Sequence, residues 1–162
     1  MLPKDSVYQY VDLSNDSITK FPDLSDYTIR SLNISHNLLD TLIISYLPKE
    51  IGKLDLSWNC FEKTFLYRDN GIKLKELNLS NNFLERVDIG ETINRIIISY
   101  NNITYINLYH KDIHYFDISY NPNLSNVVNF TPSLIDTVIR VGIANDLPIY
   151  DLMDYMRINP VP

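Results

Sequence analysis

The residues best suited to chemistry are three histidines, a single cysteine and a set of regularly spaced serines. Ser35 precedes His36 directly, so a nucleophile next to a base is the first chemistry to consider. However, serine recurs at the same point of six similar segments, as Ser14, Ser35, Ser57, Ser80, Ser99 and Ser119. A nucleophile would be a singular residue, so this regularity indicates a structural position. We predict no catalytic residue and no enzymatic activity.

Metal and cofactor chemistry is also disfavoured. His110 and His114 have the i, i+4 spacing of a helical zinc motif, but they precede a strand-like segment and have no third ligand nearby. Cys60 follows a repeated asparagine and precedes an apolar residue, which indicates a partly buried structural thiol. The four glycines are scattered and form no phosphate-binding loop. The sequence therefore predicts no metal and no cofactor.

Composition narrows the environment and the kind of partner. The net charge of −6 and the pI near 4.9 argue against nucleic acid and against an anionic membrane surface. A single cysteine cannot form an intramolecular disulfide, and no apolar run has the length of a signal peptide or membrane span. We expect a monomer without membrane insertion in a reducing compartment, with weak self-association as the alternative. The cytoplasm is predicted, and the nucleus stays open.

An internal repeat supplies the elements that would position any site. Five segments align without gaps over nine positions, and each ends in asparagine. They span 29–37, 51–59, 74–82, 93–101 and 113–121, and a degenerate copy spans 8–16. Apolar residues at positions 1, 4 and 6 predict a turn followed by a short strand of alternating orientation. Because one coil of about twenty residues cannot bury its apolar set alone, neighbouring coils must stack around a shared core.

The asparagine that ends each segment is predicted to be structural. These residues are Asn37, Asn59, Asn82, Asn101 and Asn121, and they recur every 19 to 23 residues, as from 82 to 101 and from 59 to 82. An amide side chain offers two donors and an acceptor, which can satisfy the backbone of adjacent coils. We therefore predict a buried asparagine ladder.

This pattern resembles the leucine-rich repeat family, whose core motif is L-x-x-L-x-L-x-x-N-x-L. The resemblance covers about residues 8–130 and includes the apolar residue two positions after the asparagine, as in Leu39, Phe61, Leu84 and Ile103. The copy ending at Asn121 departs from it, because Pro122 and Asn123 displace that residue to Leu124. The resemblance implies an α/β solenoid with a short parallel β-sheet on its concave face and irregular or short helical turns on its convex face. Short intracellular members of the family act as protein-interaction modules.

The chain length is consistent with one domain over 1–162. We assign 1–22 to an N-terminal cap with the degenerate repeat, 29–130 to regular repeats and 131–162 to a C-terminal cap. The longest connection, 62–73, is predicted to be an exposed loop or one to two turns of helix. An apolar face at i, i+3, i+4 and i+7 predicts a C-terminal capping helix through Ile149, Leu152, Met153 and Met156. The alternative is a helix offered to a partner.

Outward positions 3, 5 and 8 of the stacked repeat are where a binding face would form. Position 8 carries His36, Trp58, Tyr100 and Tyr120, although the repeat does not require apolar bulk there. The predicted partner-binding set adds Ile97, Tyr115, Asp55 and Asp117 from positions 3 and 5. Aromatic residues are enriched at binding hot spots, and acidic ones favour a partner with basic surface. The alternative is that AT-rich codon usage makes tyrosine common, which would not explain the single tryptophan.

Three classes of function follow from these observations. The first is a non-catalytic module that binds another protein through its concave face. The second is a structural or assembly subunit of a larger complex or virion, and the third, an enzyme, is disfavoured. The abundance of isoleucine, asparagine and tyrosine suggests an AT-rich genome, and a viral or parasitic source would predict modulation of host signalling.

Overall fold

The chain folds into a stack of coils whose walls are parallel β-strands. The computed structural model describes residues 3–68, 71–90, 93–108, 113–128 and 136–143. The strands are β1 (Val7–Tyr8), β2 (Val11–Asp12), β3 (Thr28–Ile29), β4 (Ser31–Asn33), β5 (Lys53–Asp55), β6 (Glu62–Tyr67), β7 (Glu76–Asn78), β8 (Phe83–Ile89), β9 (Arg95–Ile97), β10 (Tyr105–Leu108), β11 (Tyr115–Asp117), β12 (Asn126–Val128) and β13 (Thr137–Ile139). In the described ranges the helical structure is one short 3-10 helix, Ile44–Tyr46.

One wall is a seven-stranded parallel sheet in the order β13-β11-β9-β7-β5-β4-β2. Its register pairs equivalent positions of successive repeats, so that Leu32, Leu54, Leu77, Ile96 and Phe116 form one row. These position 4 side chains point inward, while positions 3 and 5 on either side of them point outward. The predicted parallel sheet of stacked repeats is therefore confirmed.

The opposite wall corrects the sequence prediction. Where irregular or short helical turns were expected, β6, β8, β10 and β12 form a second parallel sheet. Residues 62–73 were predicted to be a loop or helix, but Glu62–Tyr67 is a strand in which Phe65 and Tyr67 are buried and Thr64 and Leu66 are exposed. This alternation suits a strand, and adjacent coils supply the hydrogen-bonding partners. Over the residues that the structure describes, the fold is a parallel-strand β-solenoid with almost no helix.

Both walls pack on one continuous core. Leu54 and Leu77 from the seven-stranded sheet and Val87 and Ile106 from the four-stranded sheet belong to the same buried cluster. Each such side chain stabilises the fold by about 1.5–3 kcal/mol when fully buried. The core is therefore shared between coils, as expected for repeats that cannot fold alone.

The seven-stranded sheet ends in β13, which lies in a coil beyond the six copies of the sequence repeat. β13 pairs with β11 in register, and this places Arg140 opposite Ile118 at inward position 6. Arg140 is exposed and Val138 is only half-buried, so this coil has an incomplete apolar set. The polar residue at position 6 explains why the segment does not match the repeat pattern.

The predicted ends of the domain lie partly beyond the described residues. The capping helix over 149–156 falls outside them, and the boundaries at 22 and 131 stay predictions. Within the part of the chain that the structure describes, no helix is long and apolar enough to cross a membrane.

Candidate partner-binding surface

The repeated asparagines bind their coils together through their side chains. Asn59 Nδ2 lies 3.1 Å from the carbonyl oxygens of Ile34 and Leu56, and Asn59 Oδ1 accepts the Leu39 N–H at 3.0 Å. The same pattern recurs at Asn37, Asn82, Asn101 and Asn121, all buried. Because these amides are engaged with the backbone, they have no surface to offer a ligand.

The side chains at position 5 have a structural role that was not predicted from the sequence. Asp55 Oδ1 accepts the Ser57 N–H at 2.9 Å and its hydroxyl at 2.6 Å, and Asp117 does the same for Ser119 at 3.0 and 2.6 Å. Such Asx turns direct the chain away from the strand. The local signal was the recurring pattern of Asp or Asn two residues before Ser, which Ile97 interrupts.

The outer face of the seven-stranded sheet holds polar side chains that pair with one another. Lys53 Nζ lies 2.8 Å from Glu76 Oε1, and the guanidinium carbon of Arg95 lies 3.7 Å from the centre of the Tyr115 ring. Lys53, Glu76 and Arg95 line a shallow groove of about 260 Å³ that also includes Ile97. The predicted Tyr115 is therefore half-buried beneath Arg95, and Ile97 lies in the groove.

The strongest surface feature lies beyond the strands, at position 8. We call His36, Trp58, Tyr100 and Tyr120 the aromatic ridge. Each follows the end of its strand by three residues and has a left-handed backbone with φ of 53° to 55°. Trp58, Tyr100 and Tyr120 expose 53%, 50% and 43% of their surface. The structure thus brings these four predicted residues together on one edge of the sheet.

The rings of the aromatic ridge form two stacked pairs. His36 and Trp58 have ring centroids 5.2 Å apart and planes 9° apart, and Tyr100 and Tyr120 are separated by 4.2 Å and 15°. Asn81 occupies the same position in the coil between the pairs and is half-buried. The N–H groups of Trp58 and Asn81 each donate to the following coil at 3.0 Å. These bonds hold successive coils side by side, so the position 8 side chains follow one another along the stack in chain order.

The backbone conformation at position 8 favours asparagine or glycine. Asn15 and Asn81 adopt it with φ of 61° and 56°, and Gly142 adopts it in the last described coil with φ of 70°. A residue with a Cβ incurs about 1–2 kcal/mol in this region, although asparagine tolerates it. The fold is thus satisfied by Asn or Gly, and the aromatic side chains are not a structural requirement.

Two further apolar side chains extend this surface. Leu38 and Phe83 stand two residues after His36 and Asn81, and both are more than half exposed. Neither residue was predicted from the sequence, because both lie outside positions 3, 5 and 8 of the repeat. The signal was an apolar residue directly after the ladder asparagine, at a position where Asn102 and Pro122 also occur.

The Tyr100 hydroxyl has a raised pKa, which gives a test of the stacked geometry. Desolvation is the largest cause, followed by hydrogen bonding with Tyr120 and the negative charges of Tyr120 and Asp117, and together they hold the pKa above the ordinary 10.0. Since the folded-state pKa is raised, the neutral form is favoured, and its contribution to stability is lost as pH rises through that pKa.

We expect Tyr120→Phe to lower the pKa of Tyr100 towards its ordinary value, because the hydrogen bond and the charge of Tyr120 disappear. A pH titration of the Tyr100 ring-carbon chemical shift measures this directly. An unchanged titration in the Phe variant would contradict the hydroxyl contact, whereas a change of the pKa supports it.

Among the described residues, the groups first considered for catalysis or metal binding lie apart from one another. Ser35 is buried and the His36 ring stacks on Trp58, while His114 Nδ1 lies 2.9 Å from Asp136 on an exposed surface. Over the described ranges, no cluster of three or more metal-ligating side chains occurs. His110 lies outside the described residues, and Cys60 is half-buried.

Stacked parallel strands joined by buried asparagines in five consecutive coils define a repeat solenoid. The family model Leucine Rich Repeat matches residues 73–95, and this match together with the stacked parallel strands supports a leucine-rich repeat protein. No curated protein and no solved structure matched the chain. Leucine-rich repeat domains are commonly protein–protein interaction modules and typically non-enzymatic scaffolds.

Proposed function

We propose that this protein is a non-catalytic module that captures a partner protein with the aromatic ridge and the adjoining Leu38 and Phe83. The observation that carries the proposal is the choice of residues at position 8. Three large aromatic rings and a histidine occupy a left-handed backbone position that asparagine or glycine would fill at lower cost. Because Trp58, Tyr100 and Tyr120 leave about half of their surface exposed, folding gains only part of what full burial would give, and we infer that partner binding accounts for their bulk.

Energetics favour such a surface as a binding hot spot. Tyrosine and tryptophan supply large contact areas while losing few rotatable bonds, and stacking within each pair restrains the rings before a partner arrives. The exposed Phe83 and Leu38 widen the apolar area beside the ridge. Contiguous exposed apolar area of this kind marks interaction sites on soluble proteins.

The outer face of the seven-stranded sheet would then form one border of the interface. Ile97 and Tyr115 contribute half-buried apolar surface, and Asp55 and Asp117 contribute negative charge although each also caps a serine. With a net charge of −6, the chain favours a partner with basic surface in this region.

The Trp58→Asn/Tyr100→Asn double variant tests the proposal. Asparagine already occupies this position in two coils, so we expect the variant to fold while partner affinity falls at least about tenfold, as for loss of hot-spot residues. Affinity capture from cell extract, followed by titration of the captured protein in purified form, measures the effect.

The matched control is Leu66→Thr, which removes an equally exposed apolar side chain from the four-stranded sheet. Capture that survives in this control and is lost in the double variant supports the aromatic ridge. Capture that is equal in both variants would contradict it. Oligomers of the isolated protein that persist in both variants would favour the assembly-subunit function instead.

A further inference from the structure

The aromatic ridge contains a notch at Asn81, and its dimensions suggest a ligand. Trp58 and Tyr100 form the two walls, and the smaller, half-buried Asn81 lies between them. We propose, resting on the proposed function of the aromatic ridge, that the Asn81 notch binds a proline-rich segment in the polyproline II conformation that carries a lysine or arginine.

The spacing of the walls carries the first step. Trp58 and Tyr100 occupy equivalent positions two coils apart, and the interval between adjacent parallel strands is about 4.8 Å, so their backbones are about 9.6 Å apart. Polyproline II has three residues per turn and rises about 3.1 Å per residue, or about 9.3 Å per turn. If such a segment lies along the stack, its residues i and i+3 point to the same side. One would therefore contact Trp58 and the other Tyr100.

Other peptide conformations fit this interval less well. In an extended strand, residues i and i+2 share a face but are only about 6.6 Å apart, and residue i+3 points to the other face. In an α-helix lying along the stack, residues on one face are about 5.4 or 10.5 Å apart, and neither distance matches 9.6 Å as closely as one turn of polyproline II. Polyproline II is narrow, and its prolines are restrained before binding, so ordering it costs little.

The chemistry of the walls fits the same ligand. Proline-rich segments are recognised by grooves lined with aromatic rings, against which the pyrrolidine rings pack. The stacked pairs present such rings, and the Asn81 amide between them can exchange hydrogen bonds with a peptide backbone that has no internal ones.

The carboxylates beside the aromatic ridge favour a ligand that carries a basic residue. Asp55 belongs to the coil of Trp58 and Asp117 to the coil of Tyr120, so each stacked pair has a carboxylate three residues away in sequence. The nearby cations of the sheet are engaged, since Lys53 pairs with Glu76 and Arg95 covers Tyr115. A lysine or arginine at either end of the segment would therefore find negative charge beside the ridge.

Trp58 is the single tryptophan of the chain, and its fluorescence reports directly on the notch. The probe is a blocked peptide of about twelve residues with proline at every third position and one terminal arginine. Because polyproline II has three residues per turn, this places all the prolines on one face. Two comparison peptides have the same composition with the prolines displaced, or glutamate in place of arginine. We expect a blue shift of Trp58 emission with the first peptide and at least about tenfold weaker binding of the others.

The decisive variant is Asn81→Tyr, which fills the notch and makes the stack continuous. Tyrosine already adopts this backbone conformation at Tyr100 and Tyr120, so folding should be retained. We expect peptide affinity to fall at least about tenfold, as for a blocked central pocket. The matched control is Asn15→Tyr, the same exchange in the first coil, which leaves the notch open and should bind like the wild type.

The experiments distinguish a wrong ligand for the notch from a wrong binding surface. If the wild type binds none of the peptides, or binds displaced and regular prolines equally, the polyproline ligand is overturned. A captured partner that is lost in Trp58→Asn/Tyr100→Asn but retained by Asn81→Tyr would also overturn it, while leaving the aromatic ridge as the binding surface. Loss of both peptide and partner in Asn81→Tyr, with Asn15→Tyr unaffected, supports it.

Discussion

Phe116→Ala is expected to lower the free energy of unfolding by about 4 kcal/mol, within the range of measured core Phe→Ala substitutions. Phe116 is fully buried, and its strand neighbours in the position 4 row are Ile96 and Val138. The substitution removes a whole ring from a wall shared by three coils, and the surrounding backbone is held by parallel pairing on both sides. The cavity therefore cannot collapse easily. Urea denaturation followed by circular dichroism measures the change.

Phe83→Ala is the matched control because it removes the same ring from the surface, where Phe83 is 54% exposed. We expect a change of at most about 0.5 kcal/mol in the free energy of unfolding, as for ordinary surface substitutions. The same variant should weaken partner capture if Phe83 belongs to the interface. Equal losses of stability in the two variants would contradict the assignment of inward and outward rows.

Asn101→Ala is expected to destabilise the fold by about 3 kcal/mol, since unpaired buried backbone groups cost about 1–3 kcal/mol each. Asn101 Oδ1 accepts the Leu84 N–H at 3.0 Å, and Asn101 Nδ2 lies 3.0 Å from the Leu79 oxygen. Alanine would leave both groups without these partners inside the stack. Because the Leu79 carbonyl belongs to the preceding coil, the substitution weakens the junction between coils as well as one turn. Thermal and urea unfolding both report the loss.

Asn102→Ala provides the comparison for the ladder. Asn102 is the next residue along the chain and is exposed, and its backbone N–H donates to Leu84 whether or not the side chain is present. We expect its free energy of unfolding to change by at most about 0.5 kcal/mol. Similar effects of the two substitutions would show that the side-chain bonds of Asn101 do not join the coils.

The fold could be predicted where the signal was local and repeated. Apolar residues at positions 4 and 6 and an asparagine at position 9 were enough to predict short strands that stack around a shared core. The four-stranded sheet could not be predicted with the same method. Phe65 and Tyr67 alternate with exposed residues, but a strand forms there only because Val87 and Ile89 of the next coil supply a register. Apolar residues do recur five and seven positions after the ladder asparagine, as Val87 and Ile89 and as Ile106 and Leu108, but Phe65 and Tyr67 stand six and eight positions after theirs, and that offset hides the repeat from an alignment without gaps.

The residues of the aromatic ridge could be predicted from the sequence, but their position relative to the strands could not. Trp58 and the tyrosines were identified as a column, yet they lie beyond the strands in a left-handed turn. Asparagine at Asn15 and Asn81 was the available signal, since it tolerates that conformation better than other residues with a side chain. Asp55 illustrates the reverse case, because a residue read as part of a binding face also bonds its own chain two residues on.

The second parallel sheet has a consequence for the curvature of the molecule. A stack of coils bends when the elements on its outer wall need more room than the strands on its inner wall. Here strands form both walls between β5 and β12, and strands repeat at the same interval of about 4.8 Å wherever they pair. Neither wall is longer than the other over these coils, so this part of the stack should run as a straight bar rather than an arc. The side chains along its edge then form a straight row with one residue per coil at a constant interval. A rod-like ligand whose own repeat matches that interval can contact the row along its length.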